Sequence, residues 1–197
     1  MQYYKIYPQF TNFAKEISTI NLHSTEDYKI NGREEIYNTL RLPMKSFEGK
    51  TKTEIDKIVK KHFDLDVFFF SIIESQDISK IHTDTHYKKQ KKFQRYCNFA
   101  FPISGNLENR ITFWPKLDKK DKLECFQTSM VNDKSIPKYM TKSTWHDSVT
   151  HKQYQPVLLN TFLPHAAIGQ GKTLFAYITL IGKTFEDCID IYDAMIK

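Results

Sequence analysis

Two short histidine–aspartate patterns are the features of the chain best suited to chemistry. Among seven histidines, one stands two residues before an aspartate at His62-Phe63-Asp64 and another at His82-Thr83-Asp84. His82 lies in a segment, 81–86, in which apolar and polar residues alternate as in a strand, so His82 and Asp84 point to one face. An imidazole and a carboxylate that converge in this way supply two ligands to a divalent metal.

His165 is the best candidate for a third ligand, because it follows the apolar segment PVLLNTFL and precedes Gly169-Gln170-Gly171. Two histidines and one carboxylate on one face leave coordination positions open, an arrangement that suits non-haem iron(II) and its chemistry with O2. His86 is an alternative ligand, since HTDTH keeps it on the same face as His82. The simpler alternatives are a surface pair at His82 and Asp84 and a turn cap at His165.

The elements that must hold these residues are mostly short strands. Apolar spacing predicts strands at 67–73, 81–86, 95–103, 110–114, 156–163 and 173–181, and helices at 11–20, 52–62 and 184–197. Thr51 and Glu54 form a capping-box pattern for the second helix, and Thr184 with Asp187 forms a cap for the third. The third helix is expected to bury a stripe of Phe185, Ile189, Tyr192 and Ile196. His62 ends the second helix, where a cation is favoured, and is predicted to be structural.

The succession of these segments resembles one enzyme family. IHTD at 81–84, RYCNFAFPISG at 95–105, ITFW at 111–114 and PVLLNTFLPHAAIG at 156–169 look like the core of a 2-oxoglutarate/iron(II)-dependent dioxygenase. The nearest shapes are the small aspartyl/asparaginyl β-hydroxylase-like and prolyl-hydroxylase-like members. The resemblance implies a double-stranded β-helix, or jelly roll, with flanking N- and C-terminal helices. It also implies Fe(II) held by His82, Asp84 and His165, and hydroxylation that consumes 2-oxoglutarate and O2 and releases succinate and CO2.

One position departs from that family. Its members carry a cation for the far carboxylate of 2-oxoglutarate on the strand after the distal histidine, but position 175 is Phe. Lys172 and Arg95 are the two predicted substitutes, and Arg110 is a further cation if neither serves. The resemblance also places Asn98 and Tyr177 where they can donate hydrogen bonds to the co-substrate.

The length of 197 residues predicts a single domain. Residues 1–66 form an N-terminal helical and mixed support region, 67–182 the jelly-roll core and 183–197 a C-terminal helix. The polar segment 117–150 is too long for an ordinary loop and is predicted to be a lid or an insertion within the core.

The composition of the chain excludes some classes of protein but does not identify the function. No apolar run is long enough for a membrane span, and the N-terminus lacks the pattern of a signal peptide. Three dispersed cysteines without a CxxC pair argue against a disulfide framework, and a reducing, cytoplasmic location is the simple expectation. The oligomeric state stays open.

Three functions compete on these grounds. The first is an oxygenase acting on a small molecule or a protein side chain. The second is a cupin-like metal- or ligand-binding module without turnover, which Phe175 favours. The third is a nucleic-acid-binding protein, which a net charge of +6 permits but does not favour, since Lys far outnumbers Arg.

Overall fold

The computed structural model describes residues 1–20, 39–43, 49–63, 69–75, 97–115, 124–130, 133–140, 149–168, 173–180 and 182–197. Within these ranges the chain forms eleven strands and three α-helices. The strands are β1 (Tyr4–Ile6), β2 (Thr39–Pro43), β3 (Phe69–Ser75), β4 (Asn98–Gly105), β5 (Ile111–Trp114), β6 (Glu124–Met130), β7 (Asp133–Met140), β8 (Val149–Lys152), β9 (Val157–Leu159), β10 (Ala166–Ile168) and β11 (Thr173–Thr179), and the helices are α1 (Thr11–Ser18), α2 (Gly49–His62) and α3 (Phe185–Met195).

Two antiparallel sheets make up the body of the fold. The larger has six strands in the order β1-β9-β4-β11-β3-β2, and the smaller has three in the order β10-β5-β8. The sheets face each other, because Trp114 of β5 is buried in one cluster with Ala100 of β4 and with Phe175 and Tyr177 of β11. Its indole N–H donates to the Asn160 carbonyl, 3.0 Å away. The predicted mainly β jelly roll with flanking helices is confirmed.

The helices cover the opposite face of the larger sheet. Side chains alternate along β4, so Phe99 and Phe101 point away from the smaller sheet while Asn98 and Ala100 point toward it. The Phe13 ring of α1 lies 4.6 Å from that of Phe101, and the Tyr192 ring of α3 lies 4.5 Å from that of Phe99. This aromatic layer is the main core, and it fixes the central strand that carries Asn98 on its other face.

His62 has the structural role that its place in α2 predicts. Its Nε2 lies 3.1 Å from Oε1 of Glu16 in α1, and the Lys61 ammonium donates to the same oxygen at 2.8 Å. These hydrogen bonds hold the pKa of Glu16 below its usual range. The pair therefore joins the first two helices, at a distance from the space between the sheets.

The structure corrects three local predictions. Helix α2 begins at Gly49, so Thr51 lies inside the helix and does not cap it. The segment 156–163 is not one strand, because β9 ends at Leu159 and a turn precedes His165. Ile196 is 37% exposed and does not extend the buried stripe of α3, whereas Cys188 is fully buried and belongs to it.

The polar segment 117–150 contains regular structure. Strands β6 and β7 pair with each other as a hairpin, with Cys125 opposite Tyr139. β8 begins at Val149 and pairs with β5, so the last two residues of the predicted insertion already belong to the smaller sheet. The predicted strand at 81–86 lies outside the described residues. In the part of the chain that the structure describes, no helix has the length and apolar character needed to cross a bilayer.

The N-terminal cap of α3 is confirmed and gives a stability prediction. The Thr184 hydroxyl accepts a hydrogen bond from the Asp187 amide at 3.1 Å, and the Asp187 carboxylate accepts one from the Thr184 amide at 2.9 Å. We expect Thr184→Ala to lower the free energy of unfolding by about 1 kcal/mol in urea denaturation. Thr53→Ala, within the exposed part of α2, is the matched control and should change it little, because Ala favours the helix interior. Equal losses in the two variants would contradict the capping role.

Candidate functional site

The candidate site lies between the two sheets. From the larger sheet, Asn98 and Ala100 of β4 and Phe175 and Tyr177 of β11 point into this space, with the register placing Tyr177 opposite Ala100. Trp114 closes it from the smaller sheet. The walls are thus largely apolar and aromatic, which favours a dry interior in which charge interactions are strong.

His165 lies at the start of a strand of the smaller sheet. It immediately precedes β10, whose Ala166 pairs with Phe113 of β5. Alternation along the chain places His165 on the opposite face from Ala166, which is the face that carries Trp114. The imidazole is 6% exposed, and its Nδ1 lies 2.9 Å from the Leu163 carbonyl oxygen. A carbonyl oxygen only accepts, so this hydrogen bond requires the proton on Nδ1 and, in the neutral ring, leaves the lone pair on Nε2. Metal-binding histidines are oriented by this kind of backbone contact.

The other predicted ligands are outside the described residues. His82, Asp84 and the alternative His86 fall in the gap between Ser75 and Cys97, and so does Arg95. Lys172 falls in the gap before β11. Among the residues that the structure does describe, no three His, Cys, Asp or Glu side chains come together as a metal-binding group. The metal triad and these two cations therefore stay predictions.

Arg110 brings a buried cation into the space between the sheets. It directly precedes β5 and is only 5% exposed. Its Nε donates to Gln153 Oε1 at 3.1 Å, and one Nη donates to the Thr173 hydroxyl at 3.2 Å. Its guanidinium carbon lies 5.3 Å from the centre of the Phe175 ring. The guanidinium of Arg110, which directly precedes β5, therefore lies against Phe175. The family resemblance predicts a cation on β11 at that position.

The sequence predicts Arg110 only as a cation that serves if Arg95 and Lys172 do not, although the local sequence indicates where its side chain lies. Arg110 begins the strand RITFW, and its partner Gln153 directly follows β8 and is 1% exposed. The backbone N–H of Gln153 also donates to the backbone carbonyl of Arg110 at 2.9 Å. Gln153 is not singled out by the sequence pattern, because the insertion predicted at 117–150 overlaps the start of β8.

The two predicted hydrogen-bonding residues, Asn98 and Tyr177, are brought to the same interior face. The Asn98 side-chain oxygen accepts a hydrogen bond from the Thr179 hydroxyl, two residues beyond Tyr177 on β11. The Tyr177 ring lies 5.9 Å from that of Phe175. Tyr177 is therefore next to the ring that Arg110 contacts, whereas Asn98 lies farther along the same face, and the contact of either residue with a co-substrate stays a prediction.

His151 is a buried titratable residue that the sequence reasoning did not single out. It lies on β8 opposite Thr112 of β5, is 8% exposed and stacks on the Tyr4 ring with 4.3 Å between centres. Burial lowers the pKa of His151, so the ring is neutral at pH 7. Within the described residues, neither His151 Nε2 nor the Thr112 hydroxyl has a hydrogen-bond partner. Among the described residues, these two buried polar atoms therefore lack a hydrogen-bond partner on the face of the smaller sheet that points toward the larger sheet.

The unmatched hydroxyl of Thr112 leads to a prediction on stability. We expect Thr112→Val to leave the free energy of unfolding unchanged or to raise it by up to about 1 kcal/mol, because a methyl replaces a buried group that makes no hydrogen bond. Thr173→Val is the matched control, since that buried hydroxyl accepts from Arg110. The control should lose about 1–3 kcal/mol, because an Arg donor is left unsatisfied. Urea denaturation measures both, and a larger loss for Thr112→Val would show that its hydroxyl is satisfied.

Comparisons with known proteins place the fold and nothing finer. No family model and no curated protein matches the chain. A prolyl-4-hydroxylase from Pseudomonas putida superposes with a TM-score of 0.50 at 8% sequence identity, over 92% of this chain and 93% of that one. At this sequence identity the likeness shows a shared fold alone, in agreement with the two antiparallel sheets described above.

Two further solved structures are more distant. A hydroquinone 1,2-dioxygenase in complex with Cd2+ and 4-hydroxybenzonitrile has a TM-score of 0.30 at 15% identity, over 59% of each chain. A cupin-2 domain protein from Shewanella frigidimarina has a TM-score of 0.30 at 7% identity, over 60% of this chain and 74% of that one. Neither is similar enough to carry an argument.

Proposed function

We propose that this protein is an Fe(II)- and 2-oxoglutarate-dependent oxygenase that hydroxylates a small molecule or a protein side chain. The reaction balances as substrate C–H plus 2-oxoglutarate plus O2, giving substrate C–OH plus succinate plus CO2. The observation that carries the proposal is the buried guanidinium of Arg110 against Phe175, in the same interior that holds His165. A buried cation suits one end of a dicarboxylate, and a buried imidazole suits the metal at the other.

The metal would be held by His82, Asp84 and His165. The donor set of two imidazoles and one carboxylate fits Fe(II), and the Nδ1 contact of His165 with Leu163 leaves the lone pair on Nε2, as a ligand requires. When bound, Fe(II) would supply the activation of O2. The protein's part is to fix the His165 ring, to exclude water with Trp114 and Phe175, and to position the substrates.

Arg110 is the cation that we assign to the far carboxylate of 2-oxoglutarate. An unpaired carboxylate buried between the sheets is costly, whereas a guanidinium grips it with two parallel hydrogen bonds. Arg110 directly precedes β5 on the smaller sheet, and its guanidinium reaches the Phe175 ring of the larger sheet, inside the space between them. Arg95 and Lys172 remain the alternatives predicted from the sequence.

The hydrogen bonds of Arg110 would orient it for this task. Gln153 and Thr173 each accept a hydrogen bond from Arg110. These two bonds hold the guanidinium over the Phe175 ring. Asn98 and Tyr177 on the adjoining strands would complete the polar contacts to the co-substrate. The surroundings exclude water, which strengthens a charged hydrogen bond relative to one at the surface.

The proposal treats the chain as one catalytic domain, with the 117–150 segment shaping access to the interior. The β6–β7 hairpin is inserted between β5 and β8, which pair directly with each other. The hairpin is therefore connected in sequence to β5, which carries Trp114, and to β8, which carries His151. A hairpin in that position is well placed to select the substrate.

A binding module without turnover is the second candidate, because Phe175 occupies the place where the resemblance expects a cation. The two functions differ in whether 2-oxoglutarate is consumed. We expect the purified protein with Fe(II), 2-oxoglutarate, O2 and ascorbate to form succinate, detected by mass spectrometry, with none formed when O2 is excluded; ascorbate takes the place of the unidentified substrate by supplying the two electrons that reduce the second oxygen atom to water. Intact 2-oxoglutarate after prolonged incubation with protein that binds both Fe(II) and 2-oxoglutarate would contradict catalysis and favour the module.

A further inference from the structure

Two cysteines that are distant in the sequence meet in the helix-facing core. Cys97 precedes β4 and Cys188 lies in α3, and both are buried. Their sulfur atoms are 2.9 Å apart, with the Cys97 thiol donating toward Cys188. A covalent S–S bond is about 2.05 Å long, so about 0.9 Å of approach separates this pair from a disulfide.

We propose that Cys97 and Cys188 are a redox-active pair that forms a reversible disulfide linking α3 to the central strand β4. The oxidant is a low-molecular-weight disulfide such as oxidised glutathione. One cysteine thiolate attacks it, forms a mixed disulfide and releases one glutathione thiolate. The second cysteine then attacks the mixed disulfide at the protein sulfur and releases the other glutathione, so two protein thiols are oxidised and one glutathione disulfide becomes two thiols.

The surroundings of the pair make this bond slow to form and slow to break in the folded state. The Cys97–Cys188 hydrogen bond and burial raise the pKa of Cys97, which lowers the fraction of reactive thiolate. Exchange therefore requires α3 to detach from the sheet. α3 is held by its Thr184 cap, by a Lys5–Asp193 ion pair and by packing of Tyr192, and local opening of this helix exposes the two thiols without global unfolding.

The disulfide would make the C-terminal helix a fixed part of the fold. It closes a loop of about 90 residues, long enough for a large entropic stabilisation. Cys97 is also adjacent to Asn98, whose side chain faces the interior between the sheets. Oxidation would thus restrain the backbone beside a candidate co-substrate contact without touching the metal ligands.

Thiol mapping on the full chain tests this proposal. The protein is equilibrated with reduced and oxidised glutathione, quenched in acid, denatured, alkylated and digested for mass spectrometry. We expect reduced protein to alkylate at all three cysteines and oxidised protein only at Cys125, with the Cys97 and Cys188 peptides joined. Oxidation should raise Tm by about 5–15 °C. The urea-unfolded chain serves as the reference for oxidation. The proposal would be overturned if Cys97 and Cys188 of the folded protein were both still alkylated at a glutathione ratio that crosslinks the urea-unfolded chain.

Variants separate this pair from other pairings of the three cysteines. Cys125→Ser should keep the redox-dependent change in Tm, whereas Cys188→Ala should lose it and leave Cys97 available to alkylation. If Cys188→Ala does not fold, the peptide map of the wild-type chain decides alone. A joined peptide that contains Cys125 instead of Cys97 or Cys188 would overturn the assignment.

Discussion

His165→Ala is expected to abolish stoichiometric Fe(II) binding and, with it, succinate formation. The reason is that the imidazole is buried between the sheets and its Nδ1 contact with Leu163 directs the Nε2 lone pair to a ligand. Loss of a residue that only orients a ligand already costs about 10–100-fold in metal affinity, so loss of the ligand itself should cost more than about 100-fold. Anaerobic equilibrium dialysis with metal analysis measures the affinity. His82→Ala and Asp84→Ala should behave in the same way.

His62→Ala is the matched control for this prediction. His62 contacts Glu16 between the first two helices and is not part of the space between the sheets. It should bind Fe(II) as the unaltered protein does. Circular dichroism and thermal unfolding establish that each variant is folded. If folded His165→Ala still binds Fe(II) tightly, the ligand set is wrong. It is also wrong if His86→Ala loses Fe(II) binding while His82→Ala retains it.

Arg110→Met is expected to raise the dissociation constant of 2-oxoglutarate about tenfold to a hundredfold, because a charged hydrogen bond contributes about 1.5–3 kcal/mol. Fe(II) binding should stay nearly unchanged, since Phe175, Gln153 and Thr173, which the guanidinium contacts, are not among the predicted metal ligands. Anaerobic calorimetry of 2-oxoglutarate with Mn(II) in place of Fe(II) measures the binding. Arg110→Lys should lie between the two, because a lysine keeps the charge and loses the planar fork.

Arg95→Met and Lys172→Met are the comparison variants. If Arg110 is the anchor, both should bind 2-oxoglutarate within a factor of about three of the unaltered protein, since neither substitution then removes a charged hydrogen bond to the co-substrate. A large loss in either of them, with Arg110→Met unaffected, would move the anchor to that residue. No loss in any of the three would argue that the chain does not use a dicarboxylate co-substrate.

Local sequence patterns predicted the parts of the fold that local forces determine. The cap at Thr184 depends on residues three apart, and β4 overlaps the strand predicted at 95–103 from its apolar residues. The same is true of His62 at the end of an amphipathic helix. His165 was predicted to follow an apolar strand and precede a turn, whereas the structure places it directly before β10.

The remaining features depend on pairing between distant segments. β5 pairs with β8 across the hairpin β6–β7, and this pairing alone buries His151 and sets Gln153 against Arg110. The meeting of Cys97 with Cys188 depends on how α3 packs on β4. Arg110 reaches Phe175 of β11 from the other sheet, a contact that spacing along one strand does not reveal.

Anaerobic titration of the protein with Fe(II) and then 2-oxoglutarate tests the proposed function most directly. Chelation of Fe(II) by the keto acid produces a weak visible charge-transfer band, so we expect a band that needs both components and saturates at one equivalent of each. The band should be retained in His62→Ala and absent in His165→Ala, and Arg110→Met should require a higher concentration of 2-oxoglutarate to reach it. No band in the unaltered protein at saturating Fe(II) and 2-oxoglutarate would contradict the account.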